Sequence, residues 1–324
     1  MRSQLPSQRV AKMLHEQAPV NARRPNLFIV GQPRSGTTAL YHFLKQHPQV
    51  FLSNRKEPEF FSKDLRSRFL PHRNEEHYLG LFKDCRDEKV VGEASTNYLY
   101  SEVAAKEIYH FNPSAKIIMM IREPVDFLLS YHSFQIRSSF EDENIHDFVQ
   151  ALESEPERKQ GRIIPKRCLN PSLLYYSDRV RYSEQITRYY NVFNRDQVKI
   201  IVYDDFKKDN AKVYGEVLGF LGVSPDFEPE FKIINPSATV RFRRLKIIMD
   251  KDYLKIRRIA KLVLPEPVFS ILKDAYDKTL LDTRCRPSLD PLVRKQLKQR
   301  YKKEVENVSA LLNRDLIKLW GGYE

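Results

Sequence analysis

The sequence predicts an α/β fold in which a central, mostly parallel sheet lies between layers of helices. Three short apolar runs, residues 26–30, 116–121 and 198–203, read NLFIV, KIIMMI and VKIIVY. Continuous apolar runs of this length are typical of strands that a parallel sheet buries on both faces. Helical patterns separate the three runs, and strands that alternate with helices indicate a parallel sheet.

The other elements are predicted from apolar periodicity and from turn residues. A short strand is predicted over residues 90–92, and helices are predicted, in chain order, over residues 37–46, 75–82, 101–109, 172–193, 206–221, 245–264 and 291–312. Two polar stretches, residues 141–147 and 153–161, are expected to form exposed loops or mobile helix ends. Because the carboxyl ends of parallel strands hold ligands, the loops after Val30 and after Ile121 are expected to face one ligand.

The chain is predicted to consist of an N-terminal extension, residues 1–25, and one domain, residues 26–324. A length of 324 residues is enough for one large core. The first 25 residues contain no apolar stretch typical of a signal peptide, and no later stretch approaches the length that spans a bilayer. We therefore expect a cytoplasmic protein without a transmembrane segment.

Composition favours an anionic ligand. The chain has 55 Lys and Arg against 42 Asp and Glu, a net charge of +13, which suits an anionic donor or acceptor, a nucleic acid or an anionic membrane surface. We expect no nucleic acid, because no RNP-like or zinc-finger pattern is present. Cys85, Cys168 and Cys285 are far apart and predict a reducing compartment rather than a disulfide framework. No metal site is expected, because no cluster has the spacing of metal ligands.

A phosphate-binding loop is predicted where the first strand ends. Gly31 and Gly36 have the G-x-x-x-x-G spacing of a P-loop, which directs successive backbone N–H groups at an anion. Thr37 stands where nucleotide kinases have the lysine that reaches the β and γ phosphates, while Arg34 supplies a cation within the loop. The pattern therefore favours a phosphate ligand over a Mg²⁺ triphosphate.

The run P-R-S-G-T-T resembles the 5′-phosphosulfate loop of sulfotransferases, which use 3′-phosphoadenosine 5′-phosphosulfate (PAPS) as donor. The resemblance implies a P-loop-type three-layer fold and no metal. It also implies that the 5′-phosphosulfate is bound by Arg34, Ser35, Gly36, Thr37 and Thr38. Sulfotransferases usually have lysine at the position of Arg34, and arginine keeps the charge in a planar fork suited to phosphate or sulfate oxygens.

Two more segments resemble the family's site for the 3′-phosphate. Arg122 follows the strand KIIMMI and Ser130 lies eight residues later in the next predicted helix, the family's arginine and serine spacing. Arg284 matches the arginine of the family's Lys-Gly-Arg loop, although Asp282 and Thr283 replace the lysine and the glycine.

The run K-E-P-E-F-F resembles the segment that supplies the general base in heparan-type and many bacterial sulfotransferases, and Glu57 has the position of that base. Pro58 disfavours a helical conformation at Glu57 and is expected to hold it in an extended segment. Phe60 and Phe61 are expected to anchor this segment in the core. Glu59 is a rival base, because alternate residues of an extended chain point the same way.

Residues 92–98 correspond to a family segment that often donates a lysine to the active site. Ala94 occupies the place of that lysine, so Lys56 or Arg55 is expected to supply the charge. His132 lies on the same predicted helix as Ser130 but nearly opposite to it, and is expected to be a packed or surface histidine.

The resemblance, which extends from about Asn26 to Trp320, predicts a PAPS-dependent sulfotransferase. Glu57 is the predicted base, and Arg34 helps to stabilise charge on the bridging oxygen. The acceptor is a hydroxyl or amine of a glycan, lipid or small molecule, bound by loops within residues 62–74 and 138–173. A P-loop kinase and a non-catalytic polyanion-binding protein are the alternatives.

Overall fold

The computed structural model describes residues 23–66, 73–137, 143–166, 168–231, 239–240, 281–282 and 288–324. Its strands are β1 (Leu27–Gly31), β2 (Val50–Leu52), β3 (Val90–Ala94), β4 (Lys116–Ile121), β5 (Val198–Val202), β6 (Thr239–Val240) and β7 (Leu281–Asp282). Its α-helices are α1 (Thr37–Leu44), α2 (Glu75–Leu79), α3 (Ala104–Phe111), α4 (Pro124–Arg137), α5 (Phe148–Glu153), α6 (Glu155–Lys159), α7 (Tyr176–Arg179), α8 (Tyr182–Tyr190), α9 (Tyr203–Lys208), α10 (Asn210–Leu221), α11 (Pro291–Leu312) and α12 (Leu316–Trp320).

The predicted α/β fold is confirmed. Strands β1 to β5 form one parallel sheet in the order β2-β3-β1-β4-β5. The chain leaves β1 towards β2 on one side and leaves β4 towards β5 on the other side. Connections that diverge in this way open a crevice at the carboxyl ends of β1 and β4.

The described residues belong to two compact units. The first comprises Met1–Arg122 and Glu184–Lys232 and contains the parallel sheet. Strand β1 is completely buried, and an aromatic cluster packs on it, with Phe61 edge-on to Phe28 at 5.5 Å between ring centroids. Phe60 stacks on Tyr78 at 4.4 Å, so both phenylalanines of the predicted anchor are buried.

The second unit comprises Glu123–Ser183 and Ile233–Glu324. The second polar stretch, residues 153–161, forms α6, and one residue of each stretch joins a fully buried ion pair. Arg158 donates to both carboxylate oxygens of Glu143 at 2.7 Å, and Tyr176 donates to Glu143 Oε2 at 2.7 Å. Most described residues of the two stretches are exposed, as expected, but the expectation was wrong for Glu143 and Arg158, because bidentate pairing with added hydrogen bonds makes buried charges tolerable.

Two predicted helices are divided. Residues 172–193 form a 3₁₀ turn (Pro171–Leu174), α7 and α8, because carboxylates from other segments accept the N–H groups where the helices begin. Glu155 accepts the Ser177 N–H at 2.8 Å, and Glu304 accepts the Ser183 N–H at 2.6 Å. Residues 206–221 divide at Asp209, whose side chain caps α10. The helix predicted over 245–264 lies outside the described residues, and β2 was missed because three residues carry little periodicity.

Candidate active site

The predicted phosphate loop connects β1 to α1. Gly36 precedes α1 with φ of +89°, a conformation that favours glycine. A Cβ at this position would lie 3.0 Å from the Phe206 ring and 3.1 Å from the Met120 side chain. The Gln32 N–H donates to the Met120 carbonyl at 2.6 Å, which ties the loop to the end of β4. The loop is therefore held in a shape that a larger residue at position 36 would disturb.

Two arginines meet at the ends of β1 and β4. Arg122 Nη1 donates to the Arg34 carbonyl at 3.2 Å, and its guanidinium lies over the Tyr203 ring at 5.0 Å. Burial lowers the pKa of Arg34, and the positive charge of Arg122 lowers it further. Because like charges repel, an anion bound here would stabilise both guanidinium groups.

The polar side chains of the loop fit an anion. Ser35 is completely buried, and its hydroxyl has no hydrogen-bond partner among the described residues. An unpaired buried hydroxyl is costly, and a phosphate or sulfate oxygen would satisfy it. Thr37 is also buried, at the first position of α1, and the Thr38 hydroxyl accepts a hydrogen bond from Lys56 Nζ at 2.9 Å.

The carboxylate of Glu57 is held at the end of β3. The Thr96 N–H donates to Glu57 Oε2 at 2.7 Å, and the Thr96 hydroxyl lies 3.2 Å from each carboxylate oxygen. The side chain remains 27% exposed, so the carboxylate is fixed on a side chain that solvent still reaches. A fixed but accessible carboxylate suits a general base.

The expected extended conformation of this segment was wrong. Glu57 and Glu59 have φ of +56° and +55°, in the left-handed region. This conformation is unfavourable for residues other than glycine, so surrounding contacts must stabilise it. The Glu57 N–H donates to the Ala94 carbonyl at 2.9 Å and the Glu59 N–H to the Ser95 hydroxyl at 3.0 Å. These two contacts with the end of β3 supply part of the stabilisation.

Glu59 has its own partner. Its Oε1 accepts a hydrogen bond from Asn97 Nδ2 at 2.7 Å. The Glu57 carboxylate instead accepts a hydrogen bond from Thr96, the residue before Asn97. The two carboxylates are therefore fixed by different donors and are not interchangeable.

Lys56 connects the loop with Glu57. Its ammonium lies 2.9 Å from Thr38 Oγ1 and 3.4 Å from Glu57 Oε1, so one cation contacts both the predicted donor loop and the predicted base. Lys56 is one of the two candidates for the missing family lysine.

Sequence reasoning missed the buried carboxyl group of Glu93. It is completely buried in β3 and accepts hydrogen bonds from the hydroxyls of Tyr78, Tyr98 and Ser95 at 2.9, 2.8 and 2.6 Å. Burial raises its pKa to about 7, although the hydroxyl donors oppose that change. The available signal was a glutamate inside a buried strand, which needs partners in the fold.

The remaining predicted residues lie in the second unit or outside the described residues. Ser130 is buried in the second turn of α4, which belongs to the second unit. Arg284 lies outside the described residues. His132 is packed, as expected: it is buried beside Phe148, its Nε2 lies 2.9 Å from the Ile145 carbonyl, and burial lowers its pKa.

Across the described ranges, no cluster of His, Cys, Asp or Glu is arranged to hold a metal ion. In the same ranges, no helix combines the length and the apolar character that crossing a bilayer requires.

Comparison with known proteins identifies the family. The family model of the sulfotransferase domain matches residues 24–247, which is more than half of the chain. The chain therefore belongs to the sulfotransferase family. The crystal structure of a sulfotransferase from Alicyclobacillus acidocaldarius is similar, with a TM-score of 0.68 and 29% identity. The match covers 92% of this chain and 100% of that one.

Curated relatives include larger enzymes. The bifunctional heparan sulfate N-deacetylase/N-sulfotransferase 3 of Homo sapiens is 32% identical over 211 residues, which cover 63% of this chain and 23% of the relative. Carbohydrate sulfotransferase 15 of Mus musculus is 24% identical over 266 residues, covering 68% of this chain and 47% of the relative. The matches thus span about a quarter and about half of these relatives.

Proposed function

We propose that this protein transfers the sulfuryl group of PAPS to a hydroxyl or amine of an acceptor, with Glu57 as the general base. The observation that carries this proposal is the position of Lys56, whose ammonium contacts both Thr38 of the phosphate loop and the Glu57 carboxylate. A sulfuryl donor bound in the loop would therefore lie beside a cation and a proton acceptor, the two groups that sulfuryl transfer needs.

The donor supplies an activated sulfuryl group, and the loop residues would bind and orient it. Arg34, Ser35, Gly36, Thr37 and Thr38 would hold its 5′-phosphosulfate. The unpaired hydroxyl of buried Ser35 and the adjacent Arg34 and Arg122 support an anion at this place. Arg34 would also stabilise the charge that develops on the bridging oxygen.

The nucleotide end of the donor would be recognised by its 3′-phosphate. We assign this role to Arg122 and Ser130, with Arg284 as a further cation. The position of Arg122 at the end of β4, next to the loop that follows β1, supports the assignment because a nucleotide at this crevice extends across both strand ends.

The protein's own contribution to the chemistry is the removal of a proton. Glu57 would accept the proton of the attacking hydroxyl or amine, while the N–H and hydroxyl of Thr96 hold the carboxylate in place. Lys56 would stabilise negative charge between the donor loop and the base. Because both residues are preorganised, little reorganisation is needed when charge develops.

We propose a carbohydrate as the acceptor class. The support comes from relatives named for heparan sulfate and for carbohydrate sulfation. A glycan with a free amine and one with only hydroxyls are the two forms to be distinguished.

The test is an assay with ³⁵S-labelled PAPS and three acceptors: heparan sulfate stripped of its N-sulfate groups, a neutral oligosaccharide and a small phenol. We expect label on a carbohydrate. Label on the phenol alone would reject the acceptor class. No label on any of the three acceptors, together with no release of labelled sulfate to water, would contradict the activity.

The variant Glu57→Gln is expected to lower transfer roughly 10²- to 10⁴-fold, the range for loss of a general base. Glutamine keeps size and hydrogen bonding, so affinity for 3′-phosphoadenosine 5′-phosphate (PAP), measured by calorimetry, should not change. Glu59→Gln is the matched control and should cost much less. An inactive Glu59→Gln beside an active Glu57→Gln would transfer the role of base to Glu59.

A further inference from the structure

The end of β3 and the turn after it contact the segment that carries Glu57 at five consecutive positions. The Ala94 carbonyl accepts the Glu57 N–H, and the Ser95 hydroxyl accepts the Glu59 N–H. The N–H and hydroxyl of Thr96 donate to the Glu57 carboxylate, and the side-chain amide of Asn97 donates to the Glu59 carboxylate. The Tyr98 hydroxyl accepts the Phe61 N–H. The conformation of residues 57–61 therefore depends on residues 94–98.

Two of these contacts constrain the direction of a hydroxyl proton. The Ser95 oxygen accepts the Glu59 N–H at 3.0 Å, and the Tyr98 oxygen accepts the Phe61 N–H at 3.3 Å. A hydroxyl oxygen that accepts a hydrogen bond from one direction must point its own O–H bond in another direction. Both hydroxyls donate a hydrogen bond to the carboxyl group of Glu93: Ser95 donates to Oε2 at 2.6 Å and Tyr98 donates to Oε1 at 2.8 Å.

Glu93 therefore determines how both hydroxyls are oriented. Its carboxyl group is completely buried, so water does not take over as the acceptor. If this acceptor were lost, the two buried hydroxyl protons would need new partners, and the hydroxyls would rotate away from the N–H groups of Glu59 and Phe61.

Tyr78 provides an internal comparison. Its hydroxyl donates to Glu93 Oε1 at 2.9 Å, nearly as Tyr98 does, and both tyrosines are completely buried. The contact of Tyr78 with residues 57–61 is the stacking of its ring on Phe60 and its edge contact with Phe61, and phenylalanine would retain both. The two tyrosines thus differ in whether the hydroxyl itself holds the segment.

We propose that Glu93 is a positioning residue for Glu57: through the hydroxyls of Ser95 and Tyr98, it holds residues 57–61 in the conformation, left-handed at Glu57 and Glu59, that places the Glu57 carboxylate. The consequence for catalysis rests on the proposed function, because it requires Glu57 to be the base. A carboxylate displaced by about 1 Å loses as much as 10²-fold in rate, so a residue that never contacts the acceptor can control turnover.

The first experiment measures amide hydrogen exchange in the full chain and needs no acceptor. Glu93→Gln keeps one acceptor oxygen and replaces the other with an NH₂ group, so it should accelerate exchange at Glu59 or at Phe61, and Tyr98→Phe at Phe61 alone, by roughly tenfold for the loss of one buried hydrogen bond. Tyr78→Phe removes an equivalent buried hydroxyl and should leave both amides as in the wild type. Wild-type exchange in Glu93→Gln, or equal acceleration by the two tyrosine variants, would overturn the proposal.

The second experiment measures turnover with ³⁵S-PAPS and the best carbohydrate of the panel. Glu93→Gln and Tyr98→Phe should lower kcat roughly 10- to 10²-fold while PAP affinity is unchanged, and Tyr78→Phe should keep the wild-type kcat. In a Glu57→Gln background, Tyr98→Phe should cause no further loss, because it acts through Glu57.

The two proposals fail in different ways. If Glu57→Gln remains active while Glu93→Gln accelerates exchange at Glu59 or Phe61, the assignment of the base is wrong but the positioning of the segment stands. If Glu57→Gln is inactive and Glu93→Gln exchanges like the wild type, the base stands and the role of Glu93 is refuted.

Discussion

At the scale of single residues, the positive charge of Lys56 lies between the phosphate loop and Glu57. Lys56 lies over the Tyr41 ring at 5.9 Å and bonds to Thr38 and Glu57. Tyr41 is itself anchored, since its hydroxyl donates to the Ser53 carbonyl at 2.5 Å. An ammonium held by a hydroxyl, a carboxylate and a ring is preorganised to stabilise negative charge.

We expect Lys56→Met to lower kcat roughly 10²-fold, as does the loss of one preorganised charge-stabilising donor. Lys45 is a matched control, because it also lies over the Tyr41 ring at 5.9 Å but bonds to Asn54 at 2.6 Å. Lys45→Met should have nearly wild-type kcat in the ³⁵S-PAPS assay. Equal losses in the two variants would mean that Lys56 acts only by packing on Tyr41.

The assignment of Arg122 predicts a preference between nucleotides. PAP should bind far better than adenosine 5′-phosphate, and Arg122→Ala should lose roughly 10- to 10²-fold in PAP affinity, the range for a charged hydrogen bond. Calorimetry measures both. Arg195→Ala is the control, since Arg195 also lies over a tyrosine ring, at 4.3 Å from Tyr190, but is exposed in the 3₁₀ turn before β5. Equal wild-type affinities for the two nucleotides would reject the 3′-phosphate site.

At the scale of elements, the strand–loop–helix unit requires a glycine at position 36. Gly36 combines a φ of +89° with close contacts to Phe206 and Met120 at the position of an added Cβ. Gly222, which ends α10, has a φ of +72°, and there the nearest atom to an added Cβ is Lys89 Nζ at 3.6 Å. The two glycines therefore share the backbone requirement, but only Gly36 is also crowded.

Gly36→Ala is expected to reduce stability by at least about 1–2 kcal/mol, the cost of a left-handed alanine, and to weaken PAP binding because the loop shifts. Gly222→Ala should have a similar conformational cost and unchanged PAP affinity. Denaturant unfolding and calorimetry measure the two quantities. Unchanged PAP binding in Gly36→Ala would show that the loop tolerates a side chain and does not closely surround the phosphate.

At the scale of the whole molecule, Glu93 links stability to pH. Its carboxyl group lies among Tyr78, Tyr98 and, further away, the negative charge of Glu57, and burial raises its pKa from 4.5 to about 7. The native state therefore holds this proton more tightly than the unfolded chain does. The stability that Glu93 contributes is present below pH 4.5 and is lost as pH rises towards and through about 7.

In the wild type, we expect the contribution of Glu93 to the free energy of unfolding to decrease as pH rises. Glu93→Gln should lack this decrease, because glutamine does not titrate. The difference between the two proteins should change by a few kcal/mol between pH 4.5 and pH 8. Urea unfolding across this range is the measurement. Parallel curves for the two proteins would show that Glu93 titrates in the fold as it does in the unfolded chain.

Several features follow from local sequence alone. Strands β1, β4 and β5, the phosphate loop and helix α11 were predicted within about a residue of their bounds. Continuous apolar runs and the glycine spacing carry this information, because both act over a few neighbouring residues. The buried anchors Phe60 and Phe61 were predicted for the same reason.

Tertiary structure decided the features that join distant segments. The left-handed Glu57 and Glu59 and the position of Lys56 beside Thr38 depend on partners 18 to 39 positions away, whereas the hydroxyl donors to Glu93 are 2, 5 and 15 positions away. A carboxyl group in a strand, such as Glu93, is unfavourable until Ser95, Tyr98 and Tyr78 bring their hydroxyls to it. The sequence by itself thus determined four of the five strands of the parallel sheet, the loop and the candidate base, while only the packing of β3 against residues 57–61 decided how that base is held, because a hydrogen bond requires both of its partners in place.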